Sequence, residues 1–227
     1  IAFFEEMGSK GLAALERLSA RARKQGIQVL LDAKRGDIGT TAEGYARAYL
    51  APGAPLEVDA ITLNPYLGRE TLEPFVEFSR NEGRGLFVLT KTSNPGSGDF
   101  QDRVIVGEGR PLYEQVAVSI SKIFEELRGP RTGWSSLGVV VGATYAEPTE
   151  RVREQLPHAL VLAPGYGSQG ASASDAMCGF VPGPDGLEGG LVNASRALLY
   201  ADGTDTADAR SWEAAFDAAL ERAIGEL

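Results

Sequence analysis

The residues best placed to do chemistry in this sequence are Asp32-Ala33-Lys34-Arg35-Gly36-Asp37, two carboxylates around one lysine. They follow an apolar run, residues 27–31, that reads as a buried strand. Strand side chains alternate faces, so Asp32 and Lys34 share one face, roughly 6 to 7 Å apart along the backbone, while Asp37 lies beyond the strand end. Two nearby negative charges favour the ammonium form of the lysine between them. Such a lysine is suited to donate a proton or hold an anion rather than to attack as a neutral amine. Taken on spacing alone, a salt-bridged strand end accounts for the same residues equally well.

Such groups need elements to hold them. Six apolar, β-rich runs recur at residues 27–31, 58–63, 85–90, 137–141, 159–163 and 190–192. Their continuous apolar character is that of a parallel sheet covered on both sides. Helical spacing fills the intervals at residues 9–23, 69–82 and 112–127, and Thr40-Thr41-Ala42-Glu43 has the capping-box form of a helix start, with a stop at Pro52-Gly53. Polar residues gather where the runs end: Asp32 and Lys34, Asn64, residues 91–93, Thr144, Gln169 and residues 193–196. Groups distributed over the C-terminal ends of nearly every strand are the pattern of a (β/α)8 TIM barrel, whereas a doubly wound sheet concentrates them at one switch point. The expected fold is therefore an α/β barrel in a single domain spanning 1–227. Six strands are two short of eight, and the expectation is that the first one or two βα units are absent from this chain.

The 43% hydrophobic and 23% charged composition is that of a soluble globular chain, with no apolar stretch near the roughly 18 residues of a membrane span. An excess of 31 acidic over 22 basic side chains disfavours a broad nucleic-acid surface but leaves room for a local anion pocket. His158 is the one histidine, placed after Pro157 in a polar turn and expected at the surface, so histidine triads and histidine metal clusters lack material. The lone Cys178 cannot form an intrachain disulfide and has no partner in motif spacing. Together with a start that lacks a basic leader, this makes the cytoplasm the expected location.

Gly165-Tyr166-Gly167-Ser168-Gln169-Gly170 has the glycine pattern of a dinucleotide loop. The acid 20 residues on, Asp185, falls in the turn Pro182-Gly183-Pro184-Asp185-Gly186 rather than at a second strand end, so NAD binding is rejected. In a barrel these glycines lie after the seventh strand, where phosphate is commonly held together with the loop after the eighth. That next loop supplies Asn193-Ala194-Ser195-Arg196. Backbone N–H groups, the Gln169 amide and the Arg196 guanidinium suit a phosphate monoester. Residues 92–111, rich in turn formers, read as a long binding loop or lid.

With these motifs in register, the chain resembles the orotidine 5′-phosphate decarboxylase family, in the bacterial subgroup that carries Asp-Ala-Lys-Arg-Gly-Asp. The resemblance runs through Ile1-Ala2-Phe3-Phe4-Glu5, residues 32–41, Asn64-Pro65-Tyr66, Lys91-Thr92-Ser93-Asn94-Pro95-Gly96, residues 164–170 and residues 193–196. It implies a barrel that releases CO2 from orotidine monophosphate to give UMP, without metal or organic cofactor. By the family pattern Lys34 is the proton donor to C6 of the pyrimidine and Asp32 faces the leaving carboxylate. Asp37 and Thr41 reach into the partner's site of a homodimer. Ser93 contacts the pyrimidine amide, and Gln169 and Arg196 hold the phosphate. The family also uses a lysine just before the segment that begins at Ile1 and an aspartate in the first strand, which this sequence does not contain. The competing readings are a Mg-dependent sugar-phosphate decarboxylase or aldolase with the same strand end, and a catalytically dead phosphate-binding barrel.

Overall fold

The computed structural model describes residues 1–167, 170–201 and 208–227. Two helices lead in, α1 (Ala2–Glu6) and α2 (Gly8–Lys24), followed by a βα rhythm: β1 (Leu30–Arg35), α3 (Gly39–Leu50), β2 (Ala60–Leu63), α4 (Glu73–Glu82), β3 (Gly85–Lys91), α5 (Leu112–Glu126), β4 (Ser135–Val141), α6 (Ala146–Gln155) and β5 (Ala159–Pro164). After a short α7 (Ala173–Ala176) come β6 (Val181–Gly183), β7 (Gly186–Glu188), β8 (Gly190–Asn193), α8 (Arg196–Leu199) and α9 (Ala209–Glu226).

The six expected strands form one curled parallel sheet in the order β1-β2-β3-β4-β5-β8, every neighbouring pair parallel. Spatial order follows chain order without reversal, so the sheet has none of the switch points at which doubly wound sheets bind ligands. Period-two alternation sorts the strand side chains into two cores. On the helix-covered face Leu31, Ala33, Ile61, Leu63, Leu86, Val88, Val139 and Val161 pack with Ala42, Ala46 and Leu50 of α3, Phe75 and Val76 of α4, Ile120 and Phe124 of α5 and Val152 of α6. On the concave face Phe87, Val140 and Leu162 meet Leu30, Ala60, Leu89 and Leu160. Both strand faces are apolar because one carries helices and the other lines the inside of the curl.

Several boundaries move for physical reasons. The first strand is Leu30–Arg35, not residues 27–31: Ile27 is 58% exposed in the turn after α2, and the strand continues through Asp32 and Lys34, whose positions face the open concave side. α3 begins at Gly39 with Ile38 as its N-cap and no side-chain cap, so Thr40 and Glu43 lie inside the helix rather than forming a capping box. Residues 69–82 divide into a 3-10 turn, Arg69–Leu72, and α4, with Pro74 in the first turn and Gly83 closing the helix in the left-handed region, φ 67°. β6 and β7 form an antiparallel hairpin whose turn is Pro184-Asp185, which places the decoy Asp185 away from the parallel strand ends. His158 is half-buried, edge-on to Trp134 with ring centroids 6.2 Å apart, rather than a free surface residue. Cys178 is also half-buried, and burial pushes its thiol up from the ordinary value, away from thiolate reactivity.

Candidate active site

β1 runs buried, exposed, buried, exposed from Leu31 to Lys34, so Leu31 and Ala33 anchor under the helices while Asp32 and Lys34 project from the concave face. Their side chains form a direct ion pair, Lys34 Nζ to Asp32 Oδ2, with each side chain more than half exposed. Thr62, on the neighbouring β2, ties the pair to the sheet. Its hydroxyl donates to Asp32 Oδ1 at 2.9 Å and accepts from the Lys34 backbone N–H at 2.8 Å. With its hydroxyl engaged on both sides, Thr62 sets the Asp32 carboxylate and the Lys34 backbone against one another.

Lys34 is the one non-glycine residue with positive φ among the described residues, at φ 48°, and the β1–β2 register shifts between Leu31 and Arg35. A side chain held there costs on the order of 1 to 3 kcal/mol, and such costs concentrate at functional positions. The irregularity turns the strand end so that the chain can leave for Asp37. Gly36 makes that exit possible: a Cβ at this position would lie 2.6 Å from the Asn64 carbonyl oxygen. Asp37, beyond the strand, accepts from the Ile38 N–H at 2.8 Å, and Thr41 stands exposed in the first turn of α3. Asn64 caps the end of β2, its Oδ1 accepting from the Tyr66 N–H at 3.0 Å.

The other sequence-predicted groups sit at the same end of the sheet. Ser93 follows β3 and rests on Gly142, where a Cβ would come within 2.8 Å of the Ser93 Cα. At the far edge Pro164 of β5 pairs with Asn193 of β8, so the segments leaving these strands start side by side. They meet: a Cβ on Gly167 would lie 3.3 Å from Ala197 Cβ of α8, which opens with the exposed Arg196. Tyr166 is buried beneath this loop and donates to Glu226 Oε2 of α9 at 2.5 Å, a bond that raises its phenol above the ordinary value. Gln169 lies outside the described residues. The structure thus brings Asp32 and Lys34 together, sets Asp37 and Thr41 on the segment that follows them, and gathers the Gly167 and Arg196 loops into one corner. Thr62 was missed from sequence; its signal is a single hydroxyl at an alternate position of the apolar run 58–63, two residues before Asn64.

This is an α/β protein with a singly wound parallel sheet whose charged and polar groups converge at the C-terminal strand ends. Residues 1–211 match the orotidine 5′-phosphate decarboxylase / HUMPS family, and the chain belongs to that family. An orotidine 5′-phosphate decarboxylase of Deinococcus radiodurans is 43% identical over 225 residues, covering 99% of this chain and 78% of that protein. Its counterpart from Rhodopirellula baltica is 40% identical over 226 residues, covering 96% and 73%. A crystal structure from Streptomyces avermitilis, assigned to the same enzyme, superposes with a TM-score of 0.80 at 38% identity, over 99% of this chain and 74% of the other.

Proposed function

We propose that this chain decarboxylates orotidine 5′-phosphate to UMP, in a single (β/α)8 barrel domain of which the six-stranded sheet is the greater part. The observation that carries the reading is the Asp32–Lys34 pair, braced by Thr62 on the concave side of the strand ends, in a chain of this family. Relatives that are 40 to 43% identical and named for this reaction favour it over a sugar-phosphate enzyme of the same family.

Loss of CO2 leaves an electron pair on C6 of the pyrimidine with no conjugated sink, so the site must stabilise a localised negative charge and then quench it. The Lys34 ammonium serves both steps, first as a nearby positive charge and then as proton donor to C6. Asp32, held by Thr62, faces the departing carboxylate and keeps Lys34 aimed. Ser93 contacts the pyrimidine amide. Arg196 and Gln169 hold the phosphate, which is remote from the bond that breaks; its grip supplies binding energy for closure and water exclusion. Asp37 and Thr41 complete the site of a partner subunit, making the active form a homodimer. The proposed setting is cytoplasmic; among the described residues no helix is long and apolar enough to cross a membrane.

The test is release of CO2 from orotidine monophosphate by the purified protein in the presence of EDTA. EDTA-insensitive turnover supports the reading. Strict dependence on Mg²⁺, or turnover of a sugar phosphate in place of the nucleotide, overturns it.

A further inference from the structure

Lys91 ends β3 with its side chain only 1% exposed, the most deeply buried lysine position at the rim. A buried ammonium is tolerated only when its charge and its N–H bonds are met. Here Nζ donates to Asp102 Oδ1 at 2.7 Å and to Ser97 Oγ at 3.0 Å, and it lies 4.4 Å from the centroid of the Tyr145 ring. Ser97 Oγ is also 3.2 Å from the Tyr145 hydroxyl. The three partners come from two different segments: Ser97 and Asp102 from the stretch that follows β3, Tyr145 from the N-cap of α6, just after β4. Between Lys91 and these anchors lies Ser93. A second brace closes around it: Gln101 Oε1 accepts from the Thr92 N–H at 2.9 Å, and Gln101 Nε2 donates to Thr92 Oγ1 at 2.8 Å. Gly142 forms the floor.

We propose that Lys91 is a positioning residue, which through Asp102, Ser97 and Tyr145 folds the root of the 92–102 loop around itself and so fixes the place of Ser93 at the substrate pyrimidine. The proposal rests on the decarboxylase reading for what Ser93 touches, but not for the clamp itself. Lys91 is enclosed by its own partners. Its charge is used to pull Asp102, whose side chain is half exposed, back against the strand end. The loop then cannot shift at Ser93 without uncovering an ammonium.

Asp102→Asn is the primary test because the carboxylate is half exposed and an amide oxygen there can still accept from Nζ, so the variant removes the charge and keeps an acceptor; Lys91→Met, which removes the buried ammonium itself, is the companion variant. Each is combined with Ser93→Ala in the full chain. Asp102→Asn should lower kcat/KM for orotidine monophosphate about tenfold, the scale on which small misplacement of a positioning group is felt. The Ser93→Ala/Asp102→Asn double variant should be no worse than the poorer single one, because a clamp that acts through Ser93 has nothing left to place. Losses that multiply in the double variant, or an Asp102→Asn protein equal to the parent, overturn the proposal. Amide exchange gives a readout independent of turnover: Thr92 and Gln101 should exchange faster in both clamp variants than in the parent, and unchanged exchange overturns the clamp. A parent protein that does not turn over orotidine monophosphate overturns the decarboxylase reading alone, and exchange then decides the clamp.

Discussion

At the scale of single residues, the decisive group is Lys34, whose backbone sits at φ 48° and whose ammonium pairs with Asp32. A purely structural ion pair on an exposed strand face has no use for a left-handed lysine, since exposed pairs contribute about 0 to 1 kcal/mol and the backbone conformation costs at least as much. The expected result for Lys34→Ala is therefore a split between chemistry and stability. Turnover of orotidine monophosphate should fall by at least about 10³-fold while UMP affinity changes by less than about tenfold, because the phosphate contacts are untouched. Single-turnover kinetics and calorimetric UMP titration check both halves, and near-parental turnover would remove Lys34 from the donor role. Thr62→Val probes the brace from the other side: it keeps shape but deletes the hydroxyl that joins Asp32 Oδ1 to the Lys34 N–H, leaving that part-buried N–H without its partner. Such a loss costs about 1 to 3 kcal/mol, read as a lowered Tm, and kcat should fall with it as Asp32 loses its fixed orientation. Charge and spacing made Asp32 and Lys34 readable in the sequence. Thr62 was not readable, because a threonine inside an apolar strand is ordinary and its partners lie 28 and 30 residues away.

At the scale of elements, the strands were more legible than the turns that aim the site. All six apolar runs became neighbours in one sheet, since apolar character on both faces leaves a parallel strand no other place. β1 shifts at its start, from residue 27 to Leu30, because Ile27 is exposed in the turn after α2; Asp32 and Lys34 share the concave face of the strand as alternation predicts, and Asp37 lies beyond its end. The 20-residue stretch 92–111 is likewise not a uniform lid. Its root is bonded through Lys91, Thr92 and Gln101, while its far part narrows to an antiparallel bridge between Val104 and Pro111, with Val106 fully exposed at the tip. The close contact between Gly36 and Asn64 is an equally local device, invisible in a sequence because it depends on where β2 ends. Gly36→Ala must push a methyl against the Asn64 carbonyl, 2.6 Å away, and overpacking of this kind costs about 1 to 3 kcal/mol. A thermal melt should show the lowered Tm, and kcat should drop as well, because the displaced segment carries Asp37; a variant with parental Tm and kcat would show that the exit turn has slack.

At the scale of the whole molecule, the two ends of the sheet divide the labour between stability and chemistry. At the N-terminal end Glu57 bonds Arg84 and Arg23 at 2.5 Å each and accepts from the Gly53 N–H at 2.8 Å, joining α2, the approach to β2 and the start of β3. Burial alone would raise its carboxyl, but the hydrogen bond from Arg23, with those from Gly53 and Arg84, wins and holds it at about 2, below the ordinary 4.5. A carboxyl lowered in the folded state stabilises it fully above the unfolded value, and that contribution drains away as pH falls from about 4.5 toward 2. Glu57→Gln should flatten the acid limb of a stability-versus-pH curve over that window, and a limb as steep as the parent's would place the acid lability elsewhere. The opposite end raises the question of how many chains make one site. Lys34 is proposed to act in its own subunit, and Asp37, past the strand end and bonded to its own Ile38 N–H, in its neighbour's. In a twofold dimer each site then draws one residue from each chain, because the interface is self-complementary. Lys34→Ala and Asp37→Ala homodimers should both be nearly inactive. Mixed and allowed to exchange subunits, they form heterodimers in which one site lacks both residues and the other has an intact Lys34 and an intact Asp37. Statistical exchange makes half of the dimers mixed with one good site in each, so about a quarter of parental activity should return. If Asp37 served its own subunit, every site in every combination would lack one group and mixing would restore nothing. Activity that stays at the sum of the two homodimers, with exchange verified by mass-tagged subunits, would reject the shared site.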